Sequence, residues 1–405
     1  MMKTMRSSMK CLIAVFVMAM AFMVTGITSE AAVNDLKQTS DSTYYVKVNW
    51  SRISGYYYYG CQIASDPSFS SDSIIEQKYS DGIGTYVYFY GLSAGSTYYV
   101  RVGCGTDENN CYENWSSPFE VVTRPDNVSD VKFVDATDNT ATIQYSAAPG
   151  ADFYYIYDWK RHQLIGTTTS TRYTIKMDNS TDNRYRVIAA KKSESGYVAQ
   201  SLGKVIAVNL LTTKIPTENF GVGVVESSAN KVSVTAKFSG TGFEVEMVNA
   251  GGSKYFKSVS SSAKNYNDKG CDAPDMTYKQ NKYLKYRVRA YVDTDNGRKY
   301  GEWSDYRAFC EMNAKYTKGS KKINFKWSKI NGTGKIRVQV STKSASGYKT
   351  FKTLSGSTKK VTVKKYGKAS LKKNKSYYFR LVPLVKINGK YVASDYYVQK
   401  KIKVK

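Results

Sequence analysis

His162 is the only histidine in the 405-residue chain. A histidine serves as a general base, or as a metal ligand beside cysteines. Here it stands in Lys160-Arg161-His162-Gln163, a polar stretch after the alternating segment Tyr155-x-Tyr157-x-Trp159, in a repeat that holds no cysteine. A solvated loop is its expected setting. No GxSxG elbow, HExxH pair or phosphate-binding glycine loop occurs in the sequence. Nucleophilic and zinc-dependent catalysis have no visible machinery, and neither cofactor nor metal is expected. Acid–base chemistry needs paired carboxylates. Glu244 and Glu246 flank Val245 on an alternating strand, which puts both on the solvent side as exposed like charges. Asp293-Thr294-Asp295-Asn296-Gly297 opens like a calcium loop, but Arg298 and Lys299 follow and no glutamate closes it, so a hairpin turn is expected. The chain reads as a non-enzyme.

Cysteine, tyrosine and lysine carry the remaining signals. Cys61, Cys104, Cys111, Cys271 and Cys310 follow the N-terminal segment, an odd number that leaves one unpaired unless chains cross-link. Cys104 ends one strand and Cys111 opens the return strand, so a clip across that hairpin is a candidate, and Cys271 with Cys310 is a second. Cys61 shares the parity of Tyr59 and Ile63, as a small buried apolar residue would. Tyrosine occurs 36 times. It suits an exposed sheet surface by its β-propensity and polar tip, and that alone accounts for most of the set. Where Val87 and Phe89 face inward, however, Tyr86, Tyr88 and Tyr90 turn outward together, with Tyr45 beside them by the same parity. That stripe is the candidate aromatic contact surface for a glycan or protein.

Charge is unevenly placed. Lys and Arg total 60 against 33 acids, for a net charge of +27. From Ala314 to Lys405 there are 24 Lys and two Arg against one acid, Asp395, whereas 32–313 is balanced. Candidate contacts are Lys322 and Lys326 on one strand, Lys335 and Arg337 on another, Lys372 and Lys373 in a loop, and Lys401 and Lys403 in the tail. The dominance of lysine suits diffuse attraction to an anionic cell-wall polymer or surface, and not sequence-specific reading of nucleic acid. These lysines alternate with apolar residues, as in Ile323-x-Phe325-x-Trp327, so the block is folded and not a disordered basic tail.

The positioning elements repeat. Tyr98-x-Val100-x-Val102, Tyr185-x-Val187-x-Ala189, Tyr286-x-Val288-x-Ala290 and Tyr377-x-Phe379-x-Leu381 are 87, 101 and 91 residues apart. A second tyrosine follows 12 or 14 residues on, opening Tyr-Glu-Asn-Trp-Ser from 112, Tyr-Val-Ala-Gln-Ser from 197, Tyr-Gly-Glu-Trp-Ser from 300 and Tyr-Val-Ala-Ser-Asp from 391. Outside the N-terminal segment no sustained helical period occurs. The expected class is all-β, with four tandem sandwiches over 33–124, 125–213, 214–312 and 313–405. No long Gly/Ser or Pro-rich spacer separates them, which predicts a fairly stiff rod. Residues 1–32 read as a secretory signal peptide: Lys3, Arg6 and Lys10, then the apolar run Cys11 to Val24, then Ser29-Glu30-Ala31-Ala32. The apolar run is too short and too early for a mature membrane span, no second one follows, and secretion with association at the cell wall is the expected location.

Leu92-Ser-Ala-Gly95-Ser-Thr-Tyr98-Tyr-Val100-Arg-Val102 resembles the fibronectin type III signature, in which a leucine precedes a corner tyrosine by six residues. Leu371 and Tyr377 keep that spacing, Trp50 and Trp327 match the early-strand tryptophan, and Trp115-Ser116 and Trp303-Ser304 match the late pair. The second and third repeats depart, with Tyr145 and Phe238 for the tryptophan and no leucine six before Tyr185 or Tyr286, and suit another immunoglobulin-like sandwich equally. The resemblance implies two packed antiparallel sheets per repeat, with Trp50, Tyr98, Tyr185, Tyr286, Trp327 and Tyr377 in their cores. It further implies a binding or spacer role. Two functions fit: a rod anchored by its basic last domain to a polyanionic envelope, with the other domains presenting aromatic surfaces, or a glycan-binding accessory to separate polysaccharide-degrading enzymes.

Overall fold

The computed structural model describes residues 32–81, 84–177, 183–226, 231–260, 271–277 and 282–405. The expected signal segment lies outside them, apart from Ala32. Strands dominate, and among the described residues the one helical element is the 3-10 turn Thr217–Asn219. Alternation is the cause. In Tyr45–Asn49, Val46 and Val48 are fully buried while Tyr45, Lys47 and Asn49 are half-exposed, so one face of the pleat meets a core and the other meets water.

The same pair of sheets recurs four times. In the first sandwich Lys37–Asp41, Tyr45–Asn49 and Tyr86–Tyr90 form a three-stranded sheet, opposite Ile74–Asp81, Tyr58–Ala64, Thr97–Gly105 and Phe119–Val122. The second pairs Arg172–Lys176, Thr140–Ser146 and Ser129–Ala136 in the small sheet, with Arg184–Lys192 central in the larger one. The third sets Phe220–Glu226, Lys231–Ala236 and Cys271–Thr277 against a sheet centred on Gly242–Asn249 and Leu284–Thr294. The fourth sets Ala314–Gly319, Lys322–Trp327 and Lys360–Val363 against one centred on Thr333–Ser341 and Ser376–Ile387. Every segment bearing a recurrent tyrosine is thus a central strand of a larger sheet. Trp50, Tyr98, Tyr185, Tyr286, Trp327 and Tyr377 are all buried. Burial of such side chains contributes about 1.5–3 kcal/mol each.

The corner tyrosines show why the third repeat diverges from the first and fourth. In the first and fourth sandwiches the hydroxyl of Tyr98 accepts from Ser93 N at 2.9 Å, and that of Tyr377 accepts from Lys372 N at 3.2 Å. Each bond ties the strand to the loop after the buried Leu92 or Leu371. In the third sandwich Tyr286 instead donates to the Asp395 carboxylate of the fourth. A tyrosine committed to a neighbour has no use for the leucine-led corner.

By packing, the chain divides into two units: 1–126 with 148–152 and 189–201, and 127–147 with 153–188 and 202–405. Within the first unit Asp41 is buried, accepts from Arg124 Nε at 3.1 Å, and takes the Tyr197 hydroxyl at 2.6 Å. Gly95 and Gly150, both at positive φ, meet backbone to backbone there. A Cβ on Gly150 would stand 2.1 Å from the Gly95 carbonyl oxygen. Within the second unit Lys299 pairs with Asp135, and Asp295 accepts from Phe133 N at 2.6 Å. Arg307 Nε donates to both oxygens of Asp395, at 2.9 and 3.0 Å.

Candidate functional site

The tyrosine stripe, the first lysines and the neighbouring carboxylates lie on three outward sheet faces, and the remaining basic candidates lie on a fourth face and in a loop. On the small sheet of the first sandwich, register pairs Tyr45 with Tyr90, Lys47 with Tyr88 and Asn49 with Tyr86. The rings adjoin in a continuous row: Tyr88 and Tyr90 are stacked with centroids 5.8 Å apart, Tyr86 meets Tyr88 edge-on at 5.9 Å, and Tyr44 extends the row past Tyr90 at 6.5 Å. Tyr86 and Tyr90 are 47% and 55% exposed, and Lys47 Nζ lies 4.6 Å from the Tyr86 centroid. The stripe is thus an aromatic surface edged by a cation.

The small sheet of the fourth sandwich carries lysines on its outward face. Lys315 pairs with Lys326, and Lys326 with Lys360, so three exposed ammonium groups cross the sheet in one row. Like charges directly opposite on a sheet are destabilising. The next row is neutral and internally bonded: Thr362 donates to Asn324 Oδ1 at 2.8 Å, and Asn324 Nδ2 reaches Thr317 at 3.4 Å. Lys322 and Lys326 are exposed on this sheet, whereas Lys335, Arg337, Lys401 and Lys403 belong to the other, and Lys372 and Lys373 sit in the loop before Tyr377. The predicted basic residues therefore coat both faces and are not gathered into one patch.

The third face corrects the reading of Glu244 and Glu246 as free surface charges. Both lie on the outward side of Gly242–Asn249, but Glu246 is 2% exposed and accepts from Arg287 Nε at 3.0 Å and Nη2 at 3.1 Å. Glu244 accepts from Arg289 at 2.7 and 2.9 Å. Arg287 lies over Trp303 and Tyr306, and Arg289 over Tyr300 and Trp303, which covers the carboxylates. Parity gave the side of the sheet correctly but could not show what stacks on it. Burial pushes the Glu246 carboxyl up, yet the hydrogen bonds from Tyr306 and Arg287 and the guanidinium charge outweigh it and hold the group below the usual range. Burial and the same bond push the Tyr306 hydroxyl up to about 12.

A signal in the sequence pointed to this arrangement and was missed. An arginine stands three residues after the corner tyrosine in three repeats, as Arg101, Arg289 and Arg380. The late Trp-Ser pairs belong to the same device. Trp115 and Trp303 stack on Arg101 and Arg289, while Ser116 Oγ and Ser304 Oγ each accept a strand N–H, from Val102 and Val288, at 3.0 Å.

Other candidates resolve more simply. His162 lies exposed in a turn at φ 51° beside Trp159. A cavity of about 280 Å³ nearby is lined by Asp158, Arg161, Lys176 and Tyr185, but Asp158 is bonded to the backbone N–H groups of Lys160 and Arg161 and serves the turn. Asp293 pairs with Arg298 at 2.6 Å across its hairpin. The candidate clip from Cys104 to Cys111 is not formed: Cys111 is a thiol and donates to the Glu108 carbonyl at 3.1 Å. Cys310 is likewise a buried thiol, 3.8 Å from Thr333 Oγ1, and burial pushes it up to about 12. The side chain of Cys271, its expected partner, lies outside the described residues. No group of His, Cys, Asp and Glu suited to a metal ion occurs among the described residues. Nor, among them, is any helix long and apolar enough to cross a membrane.

No family model matches the chain, and no curated protein matches it. Among solved structures it is similar to the crystal structure of chicken CNTN1 FN1-FN3 domains, over 69% of this chain and 98% of that one, at 18% identity and a TM-score of 0.24. By its strand order the chain folds as tandem fibronectin type III-like sandwiches. A fold of this kind hosts many functions, and the faces must supply the rest.

Proposed function

We propose that this is a secreted, non-catalytic surface protein whose fourth sandwich anchors it to a polyanionic envelope, such as a phosphate-bearing wall polymer, while the preceding sandwiches present aromatic contact surfaces. The observation that carries this reading is the in-register row Lys315, Lys326 and Lys360, on a domain whose one acid, Asp395, is committed to Arg307 and Tyr286. A row of uncompensated cations costs folding free energy, and a bound polyanion removes that cost while releasing counterions. The test is retention of the mature chain on immobilised linear polyphosphate across a salt series. Loss of retention as salt rises supports the reading, and retention unchanged at high salt contradicts it.

A second reading rests on the tyrosine row of the first sandwich. Contiguous rings edged by hydroxyls suit the apolar faces and hydroxyl groups of a sugar chain, which would make the protein a glycan-binding accessory to separate polysaccharide-degrading enzymes. It predicts salt-tolerant polysaccharide binding that falls in the Tyr86→Ala, Tyr88→Ala double variant. Equal binding by that variant and the parent chain would remove it.

A further inference from the structure

The recurrent arginine has the same setting in three sandwiches and a different partner in the fourth. Arg101 lies over Phe69 and Trp115 at 4.4 and 4.5 Å, Arg289 over Tyr300 and Trp303 at 3.8 and 4.6 Å, and Arg380 over Tyr348 and Tyr397 at 3.7 and 4.7 Å. The residue paired with it across the sheet is Gln62, Glu244 and Gln339 respectively. In the third sandwich the guanidinium is neutralised by that glutamate. In the fourth, Gln339 stands in the place of Glu244, and Ser341 in the place of Glu246. Arg380 gives Nε to Gln399 Oε1 at 2.7 Å and Nη2 to the Ser344 carbonyl at 3.4 Å, both neutral acceptors. Arg101 also rests on a glutamine, at 2.7 Å, but in a sandwich that carries Glu76, Glu108, Glu113 and Glu120.

We infer that Arg380, braced between Tyr348 and Tyr397, is the orienting contact for a phosphate group of a linear phosphate polymer. The inference rests on the reading of the fourth sandwich as a polyanion anchor. Among the charged residues of Ala314 to Lys405 only Arg337 and Arg380 are arginines, and of these Arg380 is held by two rings. A rigid planar fork takes two oxygens of one phosphate, whereas a lysine offers a point charge. Lys401, in register with Tyr378 beside Arg380, and Arg337, two residues before Gln339, supply charge for the neighbouring phosphates on the same sheet. The lysines would then provide most of the attraction, and Arg380 the register.

The experiment measures affinity of the full mature chain for linear polyphosphate at fixed salt, with thermal unfolding run on each variant. Arg380→Lys keeps the charge and loses the fork. Gln339→Glu keeps the arginine and restores the carboxylate that neutralises it in the third sandwich. Asn388→Asp makes the same change in net charge at an exposed hairpin-turn position away from the lysine row and from Arg380. Arg380→Lys and Gln339→Glu should each weaken binding about tenfold, and Asn388→Asp less than about threefold. Binding by Arg380→Lys within twofold of the parent chain, or equal losses for Gln339→Glu and Asn388→Asp, would overturn the inference and leave the anchor intact. If Arg380→Lys fails to fold, Gln339→Glu decides alone. An equal Arg380 dependence for polyglutamate would overturn the assignment to phosphate. No binding of polyphosphate by the parent chain would overturn the anchor reading, and this inference with it.

Discussion

The outward faces of the larger sheets in the third and fourth sandwiches follow one plan: arginine after the corner tyrosine, aromatic rings over the guanidinium, and a polar residue in register. In the third sandwich Glu244 and Glu246 close the face by pairing with Arg289 and Arg287. In the fourth, glutamine and serine at those positions leave the positive charge standing. The same strand frame thus presents a closed, charge-paired face in one domain and an arginine on neutral acceptors in the other: Gln339 and Ser341 replace Glu244 and Glu246, and Tyr378 replaces Arg287. The small sheets also differ on their outward faces: in register, the pair Asn49–Tyr86 of the first sandwich becomes Lys326–Lys360 in the fourth, and Lys47–Tyr88 becomes Asn324–Thr362. The outward positions differ from one sandwich to the next while the inward ones hold each core.

The comparison can be broken most severely at Glu246. Glu246→Ala leaves Arg287 without its carboxylate in a largely buried site and should cost about 3 kcal/mol, read as an earlier denaturant transition. A change below about 0.5 kcal/mol would mean that the closed face is not cohesive. Asp395→Ala comes next. It strands Arg307 and Tyr286, and a loss of roughly 2 kcal/mol should appear in the second unit. Acid sharpens the contrast further. Because the folded Glu246 carboxyl lies below the value of 4.5 for an unperturbed group, its stabilisation is present above that pH and is lost as pH falls through the folded value. The third sandwich should therefore weaken below about pH 4.5, and Glu246→Gln should flatten that dependence in pH-resolved unfolding. The smallest effect separates stability from binding. Lys326→Glu puts an acid between Lys315 and Lys360 and should stabilise the fold by roughly 0.5 kcal/mol while weakening attachment to polyphosphate. Lower stability in that variant would show that the lysine row carries no repulsion.

Much of this was legible in the sequence because it is periodic. The tyrosine strands, the inward Val46, Val48 and Trp50, the outward Tyr86, Tyr88 and Tyr90, and the Asn388-Gly389 turn, with φ of 48° and 81°, all follow from alternation and turn chemistry. The lone acid of the basic block was also visible in the sequence. Its use was not: Asp395 meets Arg307 and Tyr286 from about 90 and 110 residues away, and only the fold brings them together. The carboxylates at 244 and 246 were assigned the correct side but the wrong environment, since parity cannot report the rings that cover them. The Cys104–Cys111 clip failed for a related reason. Adjacency in a hairpin fixes backbone neighbours, while the direction of Cys111 Sγ is set by Glu108.

The most direct test of an electrostatic fourth domain is the slope of log affinity against log salt for the mature chain on linear polyphosphate, alongside a Lys315→Gln, Lys326→Gln, Lys360→Gln variant. Each lysine that displaces a counterion should contribute roughly 0.7–0.9 to the slope, so the variant should lose roughly two to three units of steepness. Equal slopes for the two chains, or binding independent of salt, would contradict the assignment of this row as the anchoring surface.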